Sequence, residues 1–83
     1  MDVRAVEKEI LHLISEGLVI KTVSDEDGVG VADESLFLLY RFGISEAAFV
    51  RTLKRLYRTG TILCGERCLA PRAPKYEVSW RRR

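Results

Sequence analysis

The chain has 83 residues, 47% hydrophobic and 31% charged, with a net charge of +2. That length makes one small domain, expected over residues 1–80 with a frayed basic tail at 81–83. No apolar run approaches the roughly 20 residues that span a membrane, and MDVRAVEKEI lacks the basic-then-apolar order of a signal peptide. A cytoplasmic protein with no membrane partner is therefore expected.

The small net charge hides a split. Residues 1–40 carry nine acidic and three basic side chains, whereas residues 41–83 carry eleven basic and three acidic. A dipolar domain with one side suited to an anionic partner follows, against the plainer reading of scattered solvated charge. The chain also has no Asn and no Gln, and Arg outnumbers Lys ten to four. Fewer thermolabile residues and more charge suit a thermophile. A GC-rich genome competes as the source of the Arg bias.

Asp2 is placed to cap a first helix in which Val3, Val6, Ile10, Leu13 and Ile14 follow the 3.6-residue period. Leu18–Val23 is β-prone, SDEDGVG at 24–30 reads as a polar turn, and Val29 and Val31 can form a very short strand. Asp33 is expected to cap a second helix from Glu34 to Phe42. This helix is apolar nearly all round, because Leu36, Phe37 and Tyr40 lie off the face of Leu38, Leu39 and Phe42. Burial on two sides is expected; the alternative is a docking patch for a partner or a second copy.

Residues 43–60, GISEAAFVRTLKRLYRTG, are the most informative stretch. Ser45 caps a third helix, Phe49, Leu53 and Leu56 form its apolar face, and Gly60 ends it. Arg51, Thr52, Lys54, Arg55 and Arg58 fill the remaining positions. Thr61–Cys64 and Tyr76–Trp80 then read as strands, joined by the loop Gly65–Lys75 with Arg67, Pro71, Arg72, Pro74 and Lys75. The fold class is α+β: three helices packed on a small antiparallel β-hairpin.

Residues 36–80 resemble the winged helix-turn-helix superfamily. The resemblance rests on Gly43-Ile44-Ser45, Phe49, Leu53, Leu56, Gly60 and Ile62, with Tyr76 and Val78 in the returning strand. A narrower similarity is to the C-terminal winged-helix domain of archaeal minichromosome maintenance helicases, through Gly60-Thr61-Ile62, the prolines and Tyr76. The longer loop and the two cysteines depart from that pattern. The superfamily resemblance implies that the third helix enters a DNA major groove while the wing lies along the backbone or minor groove. Carried onto this chain, it places Ser45, Ala47, Ala48, Arg51 and Thr52 against DNA, with Lys54, Arg55 and Arg58 on phosphates and Arg67, Arg72 and Lys75 in the wing. Without Asn or Gln there is no bidentate reading of adenine, so backbone and shape should dominate. Double-stranded DNA is thus the expected partner, for a transcriptional regulator or a DNA-handling module. The alternative is a protein-interaction module, such as an accessory domain of a replication protein, using Leu36, Phe37 and Tyr40 or the acidic first helix.

Cys64 and Cys68 are spaced C-x-x-x-C. With only a distant His12 they make a poor zinc site, since structural zinc takes four ligands. Free thiols and a disulfide both remain open; a local turn at Gly65-Glu66-Arg67 would bring the two sulfurs together. Asp25-Glu26-Asp27 lacks the alternating ligands of a calcium loop. No catalytic triad, phosphate-cradling glycine loop or carboxylate pair is present, so neither an enzyme nor a cofactor or small-molecule substrate is expected.

Overall fold

A computed structural model describes residues 2–70 and 72–83. Its elements are α1 (Val3–Ser15), β1 (Ile20–Asp25), β2 (Gly28–Val31), a 3-10 turn (Asp33–Ser35), α2 (Phe37–Phe42), α3 (Glu46–Arg58), β3 (Ile62–Ala70) and β4 (Lys75–Arg82). Three helices stand with one four-stranded antiparallel sheet, ordered β2-β1-β4-β3.

The first helix forms as its pattern requires. The Asp2 carboxylate accepts from the Ala5 amide at 3.0 Å, and Val6, Ile10 and Ile14 are buried along one stripe. The second helix starts later than expected. Asp33 does not cap it; the residues before it form a 3-10 turn, and α2 begins at Phe37. The cause is Ser35, buried at 2% exposure, whose hydroxyl accepts from the Lys21 amide at 3.0 Å. That bond fixes the turn to the edge of β1 and satisfies a backbone donor lying off the strand ladder.

Gly43 sits at φ 64°, ψ 38°, and its amide donates to Leu39 O at 2.8 Å. Only a residue without Cβ takes the left-handed conformation cheaply, so the chain turns here between α2 and α3. Ser45 then caps α3, accepting from the Ala48 amide at 3.2 Å. Phe49, Val50, Thr52, Leu53 and Leu56 are the buried face of α3. Phe49 stacks on Phe42 with ring centroids 6.1 Å apart, joining α3 to α2. Each such fully buried side chain contributes about 1.5–3 kcal/mol of transfer free energy.

The sheet is larger than the expected hairpin. β1 and β2 pair through Thr22↔Val31 to Asp25↔Gly28, and β1 also pairs with the sequence-distant β4 from Ile20↔Trp80 to Ser24↔Tyr76. The expected loop at 65–75 is mostly strand: Glu66 pairs with Val78 and Cys68 with Tyr76. Pro71 lies outside the described residues. The C-terminal arginines are not frayed, because Arg82 pairs with Ile62 and Arg83 donates to Gly60 O at 2.6 Å. Trp80 and Ile62, both nearly buried, close the core against Ile20, Leu53 and Leu56. Among the described residues no helix is long and apolar enough to cross a membrane.

Candidate nucleic-acid interface

The extended β3 decides the cysteines first. Cys64 and Cys68 lie on one uninterrupted strand, so four residues of extended chain, about 13 Å, separate them. The expected turn at Gly65-Glu66-Arg67 does not form, and both thiols are free. The disulfide alternative is therefore corrected. Among the described residues no group of three or more His, Cys, Asp or Glu is placed to hold a metal.

The face of α3 opposite Phe49, Leu53 and Leu56 carries Ala47, Arg51, Lys54 and Arg58, all exposed. Their spacing of three and four residues lines them along one side of the helix. Arg51, Lys54 and Arg58 have no salt-bridge partner among the described residues. From Arg51 to Arg58 the row runs about 10 Å of helix axis.

The other expected contacts separate from this row. Thr52 is buried at 4% exposure, and its hydroxyl donates to Ala48 O at 2.9 Å. It is a core residue, which corrects its placement against DNA. Arg55 points to the α1 flank and donates to Glu7 at 2.9 Å. Ala48 is half-buried beside it and lines a small dent with Val3 and Val6. Ser45 is committed to the helix cap. Arg67 lies on the far face of the sheet, where it reaches Glu77 at 3.3 Å; Lys21 approaches the same carboxylate at 3.9 Å. Strand alternation puts Arg67 and Glu77 on the side away from α3, apart from the row on that helix.

At the tip of the β3–β4 hairpin, Arg72 and Lys75 are exposed. Ala70, Pro74 and Lys75 lie beside the β1–β2 turn, Asp25, Glu26 and Asp27, around a shallow hollow. Lys75 thus has an acidic neighbour that the sequence order did not reveal. The acidic turn is a solvated one: Asp25 accepts from the Asp27 amide at 2.8 Å.

Between α3 and the distal half of the sheet runs a groove of about 440 Å³. Thr22, Val78 and Trp80 floor it, Lys54, Tyr57 and Arg58 form one wall, and Cys64 and Glu66 line the β3 side. Tyr57 meets Trp80 edge-on at 6.2 Å between ring centroids. On α2, Phe37 is 52% and Tyr40 86% exposed, so the expected burial on two sides does not extend to them. Leu36 is half-buried and packs against the core.

Comparison with family models, with curated proteins and with solved structures gives no match for this chain.

Proposed function

We propose that the chain is a winged-helix domain that binds double-stranded DNA, mainly through the phosphate backbone and duplex shape, as a transcriptional regulator or DNA-handling module. The observation that carries this reading is the row Arg51, Lys54 and Arg58. These cations stand exposed along one side of a capped thirteen-residue helix, while Arg41, Arg55 and Arg67 are paired with carboxylates. A helix of this length, about 20 Å, fits a major groove about 12 Å wide, and the row flanks it with charge where phosphates lie. The Gly43 turn before α3 and the β3–β4 hairpin after it also fit the winged-helix reading. Ala47 leaves the N-terminal end of α3 slim enough to approach base edges. Arg51 is the side chain best placed to fork onto guanine.

Fluorescence anisotropy of a labelled random duplex, titrated at several salt concentrations, tests the proposal. Three phosphate contacts give a slope of log affinity on log salt near about −2.7, steepening toward about −4.5 if Arg72 and Lys75 join. The triple variant Arg51→Ala, Lys54→Ala, Arg58→Ala should lose both affinity and slope. Undiminished binding in that variant removes α3 from the interface.

A second reading is a protein-interaction module, and one observation favours it: the exposed aromatic pair Phe37 and Tyr40 on α2. Under this reading the domain is silent toward duplex DNA, and Phe37→Ser with Tyr40→Ser leaves the fold intact while abolishing partner capture.

A further inference from the structure

β3 is an edge strand nine residues long, with β4 on one side only. An edge of this length exposes a row of backbone donors and acceptors ready to pair. No proline lies within it; its guards are the charges of Glu66 and Arg67 and a register shift between Cys68 and Ala70 near its end, so the regular ladder runs from Ile62 to Cys68, with Leu63 (38% exposed) and Leu69 (39% exposed) near its two ends. The strand is self-complementary when laid antiparallel on a copy of itself. With the two-fold axis at Glu66, all nine residues overlap. Leu63 then stands opposite Leu69 of the second copy, which is the extra residue of the register shift between Cys68 and Ala70. On the inner face, Cys64 faces Cys68.

We propose that β3 pairs with β3 of a second copy about a two-fold axis at Glu66, forming one continuous eight-stranded sheet. Backbone hydrogen bonds supply the attraction, and the two Leu63–Leu69 pairs set the register. Shifting the axis by one residue to Gly65 places Leu63 opposite Arg67; shifting it to Arg67 puts like charges face to face there and leaves Leu69 opposite Gly65. Only Glu66 opposes its own kind in the chosen register. Lys54 and Arg58 line the same groove as Glu66 and offset that repulsion. Arg67 is drawn back over its own sheet by Glu77. An axis perpendicular to the sheet leaves both α3 helices on the same face, so the two basic rows point the same way. The pairing itself does not depend on DNA binding.

The purified chain should show a reversible monomer–dimer equilibrium in sedimentation, without DNA. Mild oxidation with a diazene-dicarboxamide, which takes up two electrons and two protons for each pair of thiols joined, should trap a covalent dimer. Peptide mapping should find Cys64 joined to Cys68 of the other copy, since about 13 Å separates the two within one chain. Cys64→Ser or Cys68→Ser alone should remove that linkage. Leu63→Asp with Leu69→Asp should weaken association about tenfold or more, because a like-charged pair then occurs twice by symmetry. Should that variant fail to fold, a mixing experiment stands in for it. Equimolar Glu66→Lys and unmodified chains should give the mixed dimer in excess of its statistical share by native mass spectrometry. A strictly monomeric chain, statistical mixing, or a trapped dimer joined through Cys68 to Cys68 would each overturn the proposal.

Discussion

The indole Nε1 of Trp80 donates to the hydroxyl of Thr22 at 3.0 Å, inside the core and across 58 residues of sequence. Thr22 is 1% exposed and Trp80 5%. The bond ties β4 to β1 and leaves neither polar atom unsatisfied.

Thr22→Val should keep the shape and remove the acceptor. The orphaned indole N–H then costs about 1–3 kcal/mol. For a domain of this size that lowers Tm by about 4–8 °C per kcal/mol. Adding Trp80→Phe removes the orphan but also leaves a cavity. A double-mutant cycle by thermal melts should therefore show coupling, with the two losses adding to more than the double variant's. Strict additivity would mean the bond contributes nothing.

Gly43→Ala probes the turn between α2 and α3. No heavy atom lies within 4 Å of the position a Cβ would take, so sterics with neighbours do not enter. The left-handed backbone alone sets the penalty, about 1–2 kcal/mol. Gly43→Asn should lose less than Gly43→Ala in chemical denaturation, because Asn tolerates that conformation.

Arg55 and Arg51 are four residues apart and should behave differently toward DNA. Arg55→Ala breaks the bridge to Glu7, a partly exposed pair, and should cost at most about 1 kcal/mol of stability. It should leave the salt slope of duplex binding nearly unchanged. Arg51→Ala should flatten that slope by about 0.9 with little change in stability. Equal effects of the two on the slope would place Arg55 in the interface after all.

The acidic turn beside the tip of the β3–β4 hairpin gives a further prediction. Glu26→Gln with Asp27→Asn, leaving Asp25 to hold the turn, should strengthen duplex binding and steepen its salt dependence. Anisotropy on the same duplex measures it. No change would show that the hairpin tip stays clear of the phosphates.

Much of this architecture was legible in the residues, and the failures have physical causes. The apolar periods and the caps Asp2 and Ser45 located α1 and α3 because both are local signals. Thr52 was misplaced because its hydroxyl reads as polar. Yet it lies three residues after Phe49 and four before Leu56, on the buried stripe, and a Thr there satisfies its hydroxyl on the preceding turn. The length of β3 was missed because GERCLA lacks β-branched residues; its strand character comes from pairing with β4, not from propensity. The outward turn of Arg67 and the nearness of Asp25–Asp27 to Lys75 both follow from sheet pairing, which no single-strand pattern contains. Arg55 looked equivalent to Arg51 until Glu7, on another helix, claimed it.

The pairing of β1 with β4 also sets a timetable. The strand beginning at Ile20 sits between β2 and β4, and its partner Trp80 is made sixty residues later. The backbone bonds of the helices and of the β1–β2 hairpin are local and should form early, whereas the core should stay open until the last strand arrives. Folding of so small a chain should therefore be slower than that of a helical bundle of equal length, limited by closure of this one long loop. During synthesis the nascent domain waits, with Ile20, Leu53 and Leu56 lacking their cover, until the ribosome releases the stretch around Trp80.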